Sequence, residues 1–235
     1  MKVNDIIRFM NLGSSNPRVS QVVEKIHSEF AAQVGSEQIA QKAGLQFLGE
    51  LIYAREFKNF LEIGSGIGTI AKFISELLAD DSINLNCFEV NSWCENKLRE
   101  NMGEVRYALI TSVSQLLTIQ EKMDLVIIDD LIDYVTTTQM LENTRPEIVF
   151  IEGHRRMQRL FVLRAMRSLG MNPKFKNYSK TKDSYKLGCT ISASSGKGNY
   201  KRALCFIVFS LMYSKVIEIR SRVSLRSLFR ASRLN

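Results

Sequence analysis

The chain lacks closely spaced cysteines. Its four cysteines form no Cys-x-x-Cys pair, so the sequence predicts neither a zinc site nor a disulfide framework, and a reducing cytosol is the simplest interpretation. No long apolar segment follows the first residues, which argues against a secretory signal. We therefore expect a cytoplasmic protein. The cysteines are Cys87, Cys94, Cys189 and Cys205.

The sequence also lacks an apolar run long enough to cross a bilayer. Residues 203–213 are strongly apolar but fall short of the roughly 18 to 20 residues that a transmembrane helix needs. The surrounding tail, residues 199–235, has eight basic residues against Glu218 alone, and so carries +7 of the net charge of +8. The basic residues are Lys201, Arg202, Lys215, Arg220, Arg222, Arg226, Arg230 and Arg233.

This basic tail predicts an anionic partner. An apolar run followed by an arginine-rich segment is typical of a membrane-surface anchor, so peripheral membrane association is our hypothesis. Packing of the tail on its own chain or on a partner subunit is one alternative, and binding of RNA phosphates is another. RNA is less favoured because Phe229 is the only aromatic residue after Tyr213.

A glycine turn lies within residues 59–70, directly after an apolar run. Gly64, Gly66 and Gly68 can adopt positive φ and leave the main chain open to a ligand. Thr69 stands where a dinucleotide fingerprint requires glycine, and no Gly-Lys-Ser/Thr follows, so phosphate-binding loops are disfavoured. After the turn, apolar residues recur at helical spacing. The segment is therefore predicted to form a strand, then the glycine loop, then a helix. The apolar residues of that helix are Ile70, Phe73, Ile74, Leu77 and Leu78.

Strand and helix patterns alternate along the rest of the chain. This alternation predicts an α/β fold with a parallel sheet, helices on both faces and ligands beyond the carboxyl ends of the strands. The expected strands are residues 83–90, 105–110, 123–129 and 147–152, followed by a helix at 155–169 and late extended segments at 174–178 and 185–193.

The pattern Glu62-x-Gly64-x-Gly66-x-Gly68 resembles motif I of the class I S-adenosylmethionine-dependent methyltransferases. The resemblance implies a Rossmann-like, doubly wound, mostly parallel seven-stranded sheet with a closing antiparallel hairpin, and S-adenosylmethionine as cofactor. It also implies that the acid and the glycines surround the methionine part, and that Glu89 holds the ribose. The further cofactor-binding candidates are Ser65 in the turn, and Thr111 and Ser112 after the third strand.

Asp129, at the end of the fourth strand, is the candidate catalytic residue. Residues 127–134 resemble the Ile-Asp-x-x-x-x-x-Tyr region of small-molecule O-methyltransferases, as do residues 45–51 ahead of the glycine turn. For an alcohol or phenol acceptor, Asp129 is the best-placed general base; the alternative is a turn or helix-capping acid. Asp130 and Asp133 are expected to be solvated, and Asp130 and Tyr134 are candidates for acceptor binding.

A divalent metal is possible but not favoured. In the metal-dependent members of the resembled family, the strand-four acid and an Asp-Asn pair after strand five bind magnesium. Residues 152–155 depart from that pair, although Asp129, Glu152 and His154 remain an alternative metal site. His154 is otherwise a loop histidine that binds nothing. A different use is recognition of an acidic or phosphorylated acceptor by His154, Arg155, Arg156 and Arg159.

Three regions make up the expected organisation: a helical extension at 1–56, a methyltransferase domain at 57–198 and the basic tail at 199–235. With 235 residues and 45% hydrophobic content, the chain suits one catalytic domain with extensions. The resemblance implies that the extension caps the acceptor pocket or contributes to a homodimer. Its apolar stripes are Val23, Ile26, Phe30 and Val34, then Ile39, Ala43, Phe47, Leu48, Leu51 and Ile52.

The preferred function is O-methylation of a small-molecule or glycan- or lipid-linked acceptor. An adenine N-methyltransferase is disfavoured because residues 129–132 lack the Asn/Asp-Pro-Pro-aromatic motif of those enzymes. An RNA methyltransferase is one alternative. A non-catalytic cofactor-binding scaffold that works through its basic tail is the other.

Overall fold

The structure is a computed structural model, and it describes residues 15–79, 82–153, 155–177, 188–193 and 204. The predictions about the basic tail and about His154 therefore lie outside the described residues, residue 204 excepted. The helices are α1 (Pro17–Ala31), α2 (Lys42–Arg55), α3 (Thr69–Leu78), α4 (Ser92–Met102), α5 (Val113–Leu116), α6 (Tyr134–Thr144) and α7 (Arg156–Ser168). The strands are β1 (Asn59–Ile63), β2 (Asn84–Phe88), β3 (Ala108–Ile110), β4 (Leu125–Ile128), β5 (Ile148–Glu152), β6 (Pro173–Asn177) and β7 (Gly188–Ala193).

The seven strands form one sheet in the order β3-β2-β1-β4-β5-β7-β6. Strands β1 to β5 are parallel, whereas β7 runs antiparallel to both β5 and β6. The chain order reverses between β1 and β4, which makes the carboxyl ends of these two strands the switch point where open α/β sheets hold ligands. This architecture confirms the predicted doubly wound, mostly parallel sheet with its antiparallel closing hairpin.

Alternate strand residues face two separate hydrophobic cores. In β4, Leu125 and Ile127 join the core beneath α1, α2 and α3, while Val126 and Ile128 join the core beneath α6 and α7. Both faces of the central strands are fully buried, which explains their continuous apolar runs. Burial of each such side chain contributes roughly 1.5 to 3 kcal/mol, so the strand ends are held on a rigid base.

The N-terminal helices pack into the first of these cores. Asn16 caps α1 by accepting hydrogen bonds from the backbone amides of Arg18 at 2.9 Å and Val19 at 3.4 Å. In α2, Phe47 stacks on Phe150 of β5 with ring centroids 6.4 Å apart. The described helices of the extension therefore share one hydrophobic core with the sheet, and the predicted boundary at residue 56 stays a prediction.

Several predicted details are wrong. Val34 is 79% exposed because α1 ends at Ala31, and Ala43 lies on the exposed face of α2. The third strand is Ala108–Ile110, shorter than the predicted 105–110, because it pairs only with β2 at the sheet edge. None of the described helices has both the length and the apolar character needed to span a membrane.

Candidate functional site

The glycine turn after β1 forms the floor of the site. Gly64, Gly66 and Gly68 have φ values of 80°, 54° and 95°, a region that favours glycine. The amide of Gly64 donates to the Phe88 carbonyl at 2.9 Å, which ties the turn to the end of β2. A side chain at Gly64 would collide with Asp130, whereas nothing lies within 4 Å of the position where Gly66 would carry one. Gly64 thus permits close approach of the β4 end, and Gly66 faces open space.

A cavity of about 590 Å³ opens over this turn. It brings together most of the predicted site residues: Glu62, Gly64, Ser65, Gly66, Glu89, Asp129, Asp130 and Arg155. Five of the residues that line it carry carboxylates, and one carries a guanidinium. The carboxylates belong to Glu37, Glu62, Glu89, Asp129 and Asp130, and the guanidinium to Arg155.

Glu62 is the most deeply buried carboxyl group of the cavity, at 1% exposure. The pKa of Glu62 is raised to about 8, mainly by burial; the neighbouring Ser65 side chain lowers it, the charge of Glu89 adds to the rise, and the hydrogen bond from the Cys87 thiol lowers it. Among the described residues, Glu62 makes no salt bridge. A cationic group on a ligand would stabilise the charged form of this buried acid, because the positive charge offsets the desolvation of the carboxylate.

Glu89 lies just beyond β2 and is already oriented by the main chain. Its Oε2 accepts from the Gly66 amide at 2.7 Å, and its Oε1 accepts from the Asn91 amide at 2.8 Å. A carboxylate has about four acceptor positions, so each oxygen can still accept from a ligand hydroxyl. The arrangement fits the predicted ribose-binding role, which stays a prediction.

Asp129 forms an ion pair with Arg155 at the end of β4. The Arg155 Nη2 lies 2.6 Å from Asp129 Oδ1, and its Nη1 lies 3.4 Å from Glu152 Oε2 at the end of β5. Burial raises the pKa of Asp129 well above its ordinary value, and the positive charge of Arg155 opposes this rise. Burial likewise raises the pKa of Glu152, again against Arg155. The two acids therefore share one guanidinium.

This pairing bears on the alternative metal site. No group of three or more histidine, cysteine or acidic residues that could hold a metal ion occurs in the described part of the chain, from which His154 is missing. A divalent cation at Asp129 and Glu152 would have to displace Arg155. In the described part of the chain, Asp129 and Glu152 are thus both paired with Arg155, and the alternative metal site stays a disfavoured prediction.

The acids that follow Asp129 have different roles. The Oδ1 of Asp130 accepts from the amide of Leu131 at 2.6 Å, and Asp130 lines the cavity. Asp133 is exposed, but it also caps α6: it accepts from the amides of Val135 at 2.8 Å and Thr136 at 3.0 Å. The hydroxyl of Thr136 also donates to Asp133, and these hydrogen bonds lower the pKa of Asp133. The capping role considered for Asp129 therefore belongs to Asp133.

Other predicted residues do not reach the cavity. Ser112 caps α5 through the Gln115 amide, and Thr111 donates to the Gln115 side chain. Tyr134 packs edge-on against Phe161 at 6.0 Å between ring centroids. None of these three predicted residues lines the cavity, and neither does Gly68, the N-cap residue that precedes α3.

Most described residues of the basic cluster considered for acceptor recognition lie away from the cavity. Arg159 is 2% exposed and donates to the carbonyl of Gly153 at 2.5 Å. Arg156 begins α7 and does not line the cavity. Of the described members of the cluster, Arg155 alone lines the cavity, and it already contacts two carboxylates.

The sequence patterns missed one wall of the cavity. Trp93 and Cys94, in the first turn of α4, line it together with the segment before α2, where Gly35 has a φ of 90° and lies directly against the Trp93 ring. The capping of α4 by Asn91 was a usable signal for the position of Trp93, since asparagine is a preferred N-cap. The remaining lining residues of the N-terminal segment are Glu37, Ile39 and Ala40, for which the sequence carries no such signal.

Comparison with known proteins gives a fold but no close relative. No protein-family model and no curated protein matches the chain. Among solved structures, the SAH-bound methyltransferase PaMTH1 of Podospora anserina is similar with a TM-score of 0.54 and 12% identity, over 77% of this chain and 89% of that one. An O-methyltransferase from Bacillus cereus in complex with SAH gives a TM-score of 0.53 and 15% identity, over 74% of this chain and 91% of that chain.

A third similar structure is the O-methyltransferase TomG of Streptomyces achromogenes, involved in tomaymycin synthesis and solved with SAM. Its TM-score is 0.52 at 16% identity, over 77% of this chain and 91% of that chain. At such low identity the likeness concerns the fold. The chain therefore has the class I S-adenosylmethionine-dependent methyltransferase fold.

Proposed function

We propose that this protein is an S-adenosylmethionine-dependent methyltransferase that methylates an oxygen atom of a small molecule. The observation that carries the proposal is the pair of buried carboxyl groups, Glu62 and Glu89, that line the cavity over the open glycine turn. The similar structures with SAM or SAH bound support the same cofactor.

The residues of the cavity fit the parts of this cofactor. Glu62 would bind the ammonium group of the methionine part, which supplies the positive charge that the buried acid otherwise lacks. Glu89 would accept from the ribose hydroxyls with its remaining acceptor positions. Gly66 has no side chain and faces open space, so the ligand can lie directly against its main chain. When bound, the cofactor supplies an electrophilic methyl carbon on a positively charged sulfur.

Asp129 would act as the general base toward a hydroxyl acceptor. Asp129 would take the hydroxyl proton as the acceptor oxygen takes the methyl group, and the cofactor sulfur would keep the electron pair of the bond that breaks. Burial raises the pKa of Asp129 toward the range in which a base works at neutral pH. Arg155 would hold the carboxylate in place through its 2.6 Å contact. Such a base typically contributes 10²- to 10⁴-fold.

Calorimetric titration with S-adenosylmethionine tests the proposal. We compare the parent with Gly66→Arg, which fills the open side of the turn, and with Gly103→Arg as a matched control. Gly103 has a φ of 55°, against 54° for Gly66, and both positions have nothing within 4 Å. Gly103 does not line the cavity. Binding by the parent and by Gly103→Arg, but not by Gly66→Arg, is expected; no binding by the parent would refute the proposal.

The acceptor and the tail remain part of the proposal. A glycan- or lipid-linked acceptor at an anionic membrane surface is the finer hypothesis, and it rests on the charge of residues 199–235. The alternatives are an RNA acceptor and a non-catalytic scaffold. An RNA acceptor would give methyl transfer to RNA, and a scaffold would bind the cofactor without turnover.

A further inference from the structure

Asp130 stands directly over the glycine turn. A Cβ atom at Gly64 would lie 2.4 Å from the Cβ atom of Asp130 and 3.0 Å from its amide nitrogen. The Oδ1 of Asp130 accepts from the Leu131 amide at 2.6 Å, which orients the carboxylate. Asp130 is exposed, and it lines the same cavity as Gly64 and Asp129. An acid is therefore held over the turn without being buried by the protein.

The acids of the cavity outnumber its cations. Among the described basic residues, Arg155 alone lines the cavity, and its guanidinium already contacts Asp129 and Glu152. The arginines of α7 do not line the cavity: Arg156, Arg159, Arg164 and Arg167.

Four acids of the cavity form no salt bridge within the part of the chain that the structure describes. They are Glu37, Glu62, Glu89 and Asp130. Burial raises the pKa of Glu62 to about 8, so this acid holds a proton in the free protein at neutral pH. Three acids still remain without a compensating cation, and the cavity therefore favours a ligand with positive charge.

The two forms of the proposed cofactor differ in charge at a single atom. S-adenosylmethionine carries a positive charge on its sulfur, whereas S-adenosylhomocysteine, which remains after the methyl group has left, has a neutral sulfur. The amino-acid part and the ribose are the same in both, so Glu62 and Glu89 would meet the same groups. Because Coulomb attraction weakens with distance, only an acid close to the sulfur can distinguish the two forms by charge.

Asp129 and Asp130 are the two acids to consider for that contact. In the proposed mechanism Asp129 takes the proton of the acceptor, so the methyl group and its sulfur belong near the end of β4. The charge of Asp129 is offset by Arg155, whose Nη2 lies 2.6 Å from its Oδ1. Asp130 is the next residue, lines the same cavity and has no such cation among the described residues.

We propose that Asp130 faces the cofactor sulfur and makes the cavity bind S-adenosylmethionine in preference to S-adenosylhomocysteine. This inference rests on the proposed methyltransferase function and gives that site a means of releasing its by-product. The attraction ends when the sulfur keeps the electron pair of the broken bond and becomes neutral. Two unit charges about 4 Å apart change a binding constant by about fivefold in bulk water, and by more near a protein surface. Since Asp130 is exposed in the free protein, fivefold is the smallest effect expected.

Dissociation constants of three ligands, measured by calorimetry, test this assignment. The ligands are S-adenosylmethionine, S-adenosylhomocysteine and sinefungin. Sinefungin has an amino-bearing carbon in place of the sulfur, so it keeps a positive charge there without a transferable methyl group. The variants are Asp130→Asn, which retains an acceptor for the Leu131 amide, and Glu142→Gln as the control. Glu142 is exposed on α6 and does not line the cavity, so its variant loses the same charge away from the ligand.

We expect the parent and Glu142→Gln to bind S-adenosylmethionine and sinefungin at least fivefold more tightly than S-adenosylhomocysteine. In Asp130→Asn this preference should fall at least fivefold, with the affinity for S-adenosylhomocysteine nearly unchanged. An unaltered preference in Asp130→Asn, or an equal loss of preference in both variants, would overturn the assignment. A parent that shows no preference for the two charged ligands would overturn it as well, and that measurement requires no variant to fold.

The two proposals fail in different ways. Failure of the parent to bind any of the three ligands counts against the methyltransferase function. Binding of all three without a preference for positive charge counts against the role of Asp130 alone.

Discussion

Arg155 Nη2 lies 2.6 Å from Asp129 Oδ1, although 26 positions separate the two residues in the chain. The same guanidinium reaches Glu152, so one cation serves acids from two neighbouring strands, β4 and β5. This pairing places the candidate base in a charge-compensated setting at the carboxyl edge of the sheet.

We expect Arg155→Met to destabilise the protein by roughly 1 to 3 kcal/mol at pH 8, because two buried acids then lose their cation. The loss should shrink at pH 5.5. Without the cation the pKa of each acid rises further, the folded state takes up protons, and the repulsion disappears. Urea unfolding at the two pH values measures both effects.

Arg99→Met is the control for this substitution. Arg99 pairs with Glu95 one helical turn away on the surface, where solvent screens the pair, so this substitution should have little effect on stability. Equal destabilisation by the two substitutions would show that Arg155 does not compensate the buried acids.

Glu62 should make the stability of the free protein depend on pH. Burial raises its pKa to about 8 from 4.5, so the folded state holds a proton that the unfolded state releases between these values. The contribution of Glu62 to stability therefore falls as the pH rises from 4.5 to about 8, at no more than about 1.4 kcal/mol per pH unit.

The variant Glu62→Gln isolates this effect, because glutamine has nearly the same shape and does not titrate. We expect the free energy of unfolding of the parent, minus that of Glu62→Gln, to decrease over this pH interval and to level off above it. Chemical denaturation from pH 5 to pH 9 provides the values. Parallel curves for the two proteins would mean that Glu62 titrates normally.

Trp93 is the single tryptophan of the chain and lines the cavity. We expect S-adenosylmethionine to change its intrinsic fluorescence in a saturable manner, because a ligand over the glycine turn replaces water beside the indole ring. Gly66→Arg should show no such change. Calorimetric binding without any fluorescence change would place the ligand away from α4.

The basic tail should bring the protein to anionic membranes. We expect co-sedimentation with phosphatidylglycerol vesicles at 0.1 M salt, and little with phosphatidylcholine vesicles or at 0.5 M salt. Each arginine near an anionic surface is worth about 1 kcal/mol, so replacing four with glutamine should remove most of the binding. The four positions are Arg222, Arg226, Arg230 and Arg233.

The competing interpretations of the tail have their own signatures. RNA that displaces the protein from vesicles at low concentration would favour nucleic acid as the partner. Vesicle binding that persists in the four-arginine variant would contradict the electrostatic anchor.

Local patterns were sufficient for the framework of the site. The spacing of Gly64, Gly66 and Gly68 predicts a turn with positive φ, and Glu62 and Glu89 stand at positions where parallel strands end. Because the carboxyl ends of parallel strands meet at one edge of a sheet, the order of strands along the chain is enough to assign these acids to one cavity. Continuous apolar runs likewise mark β4 and β5 as central strands.

The contacts between distant segments were decided only in the folded molecule. The spacing of residues does not reveal that Arg155 pairs with Asp129 or that Gly35 lies against Trp93. These relationships depend on how α2, α4 and α7 pack against the sheet, and side-chain partners follow from that packing. Sequence periodicity reports which face of an element is buried, whereas charge pairing requires the neighbours that tertiary structure supplies.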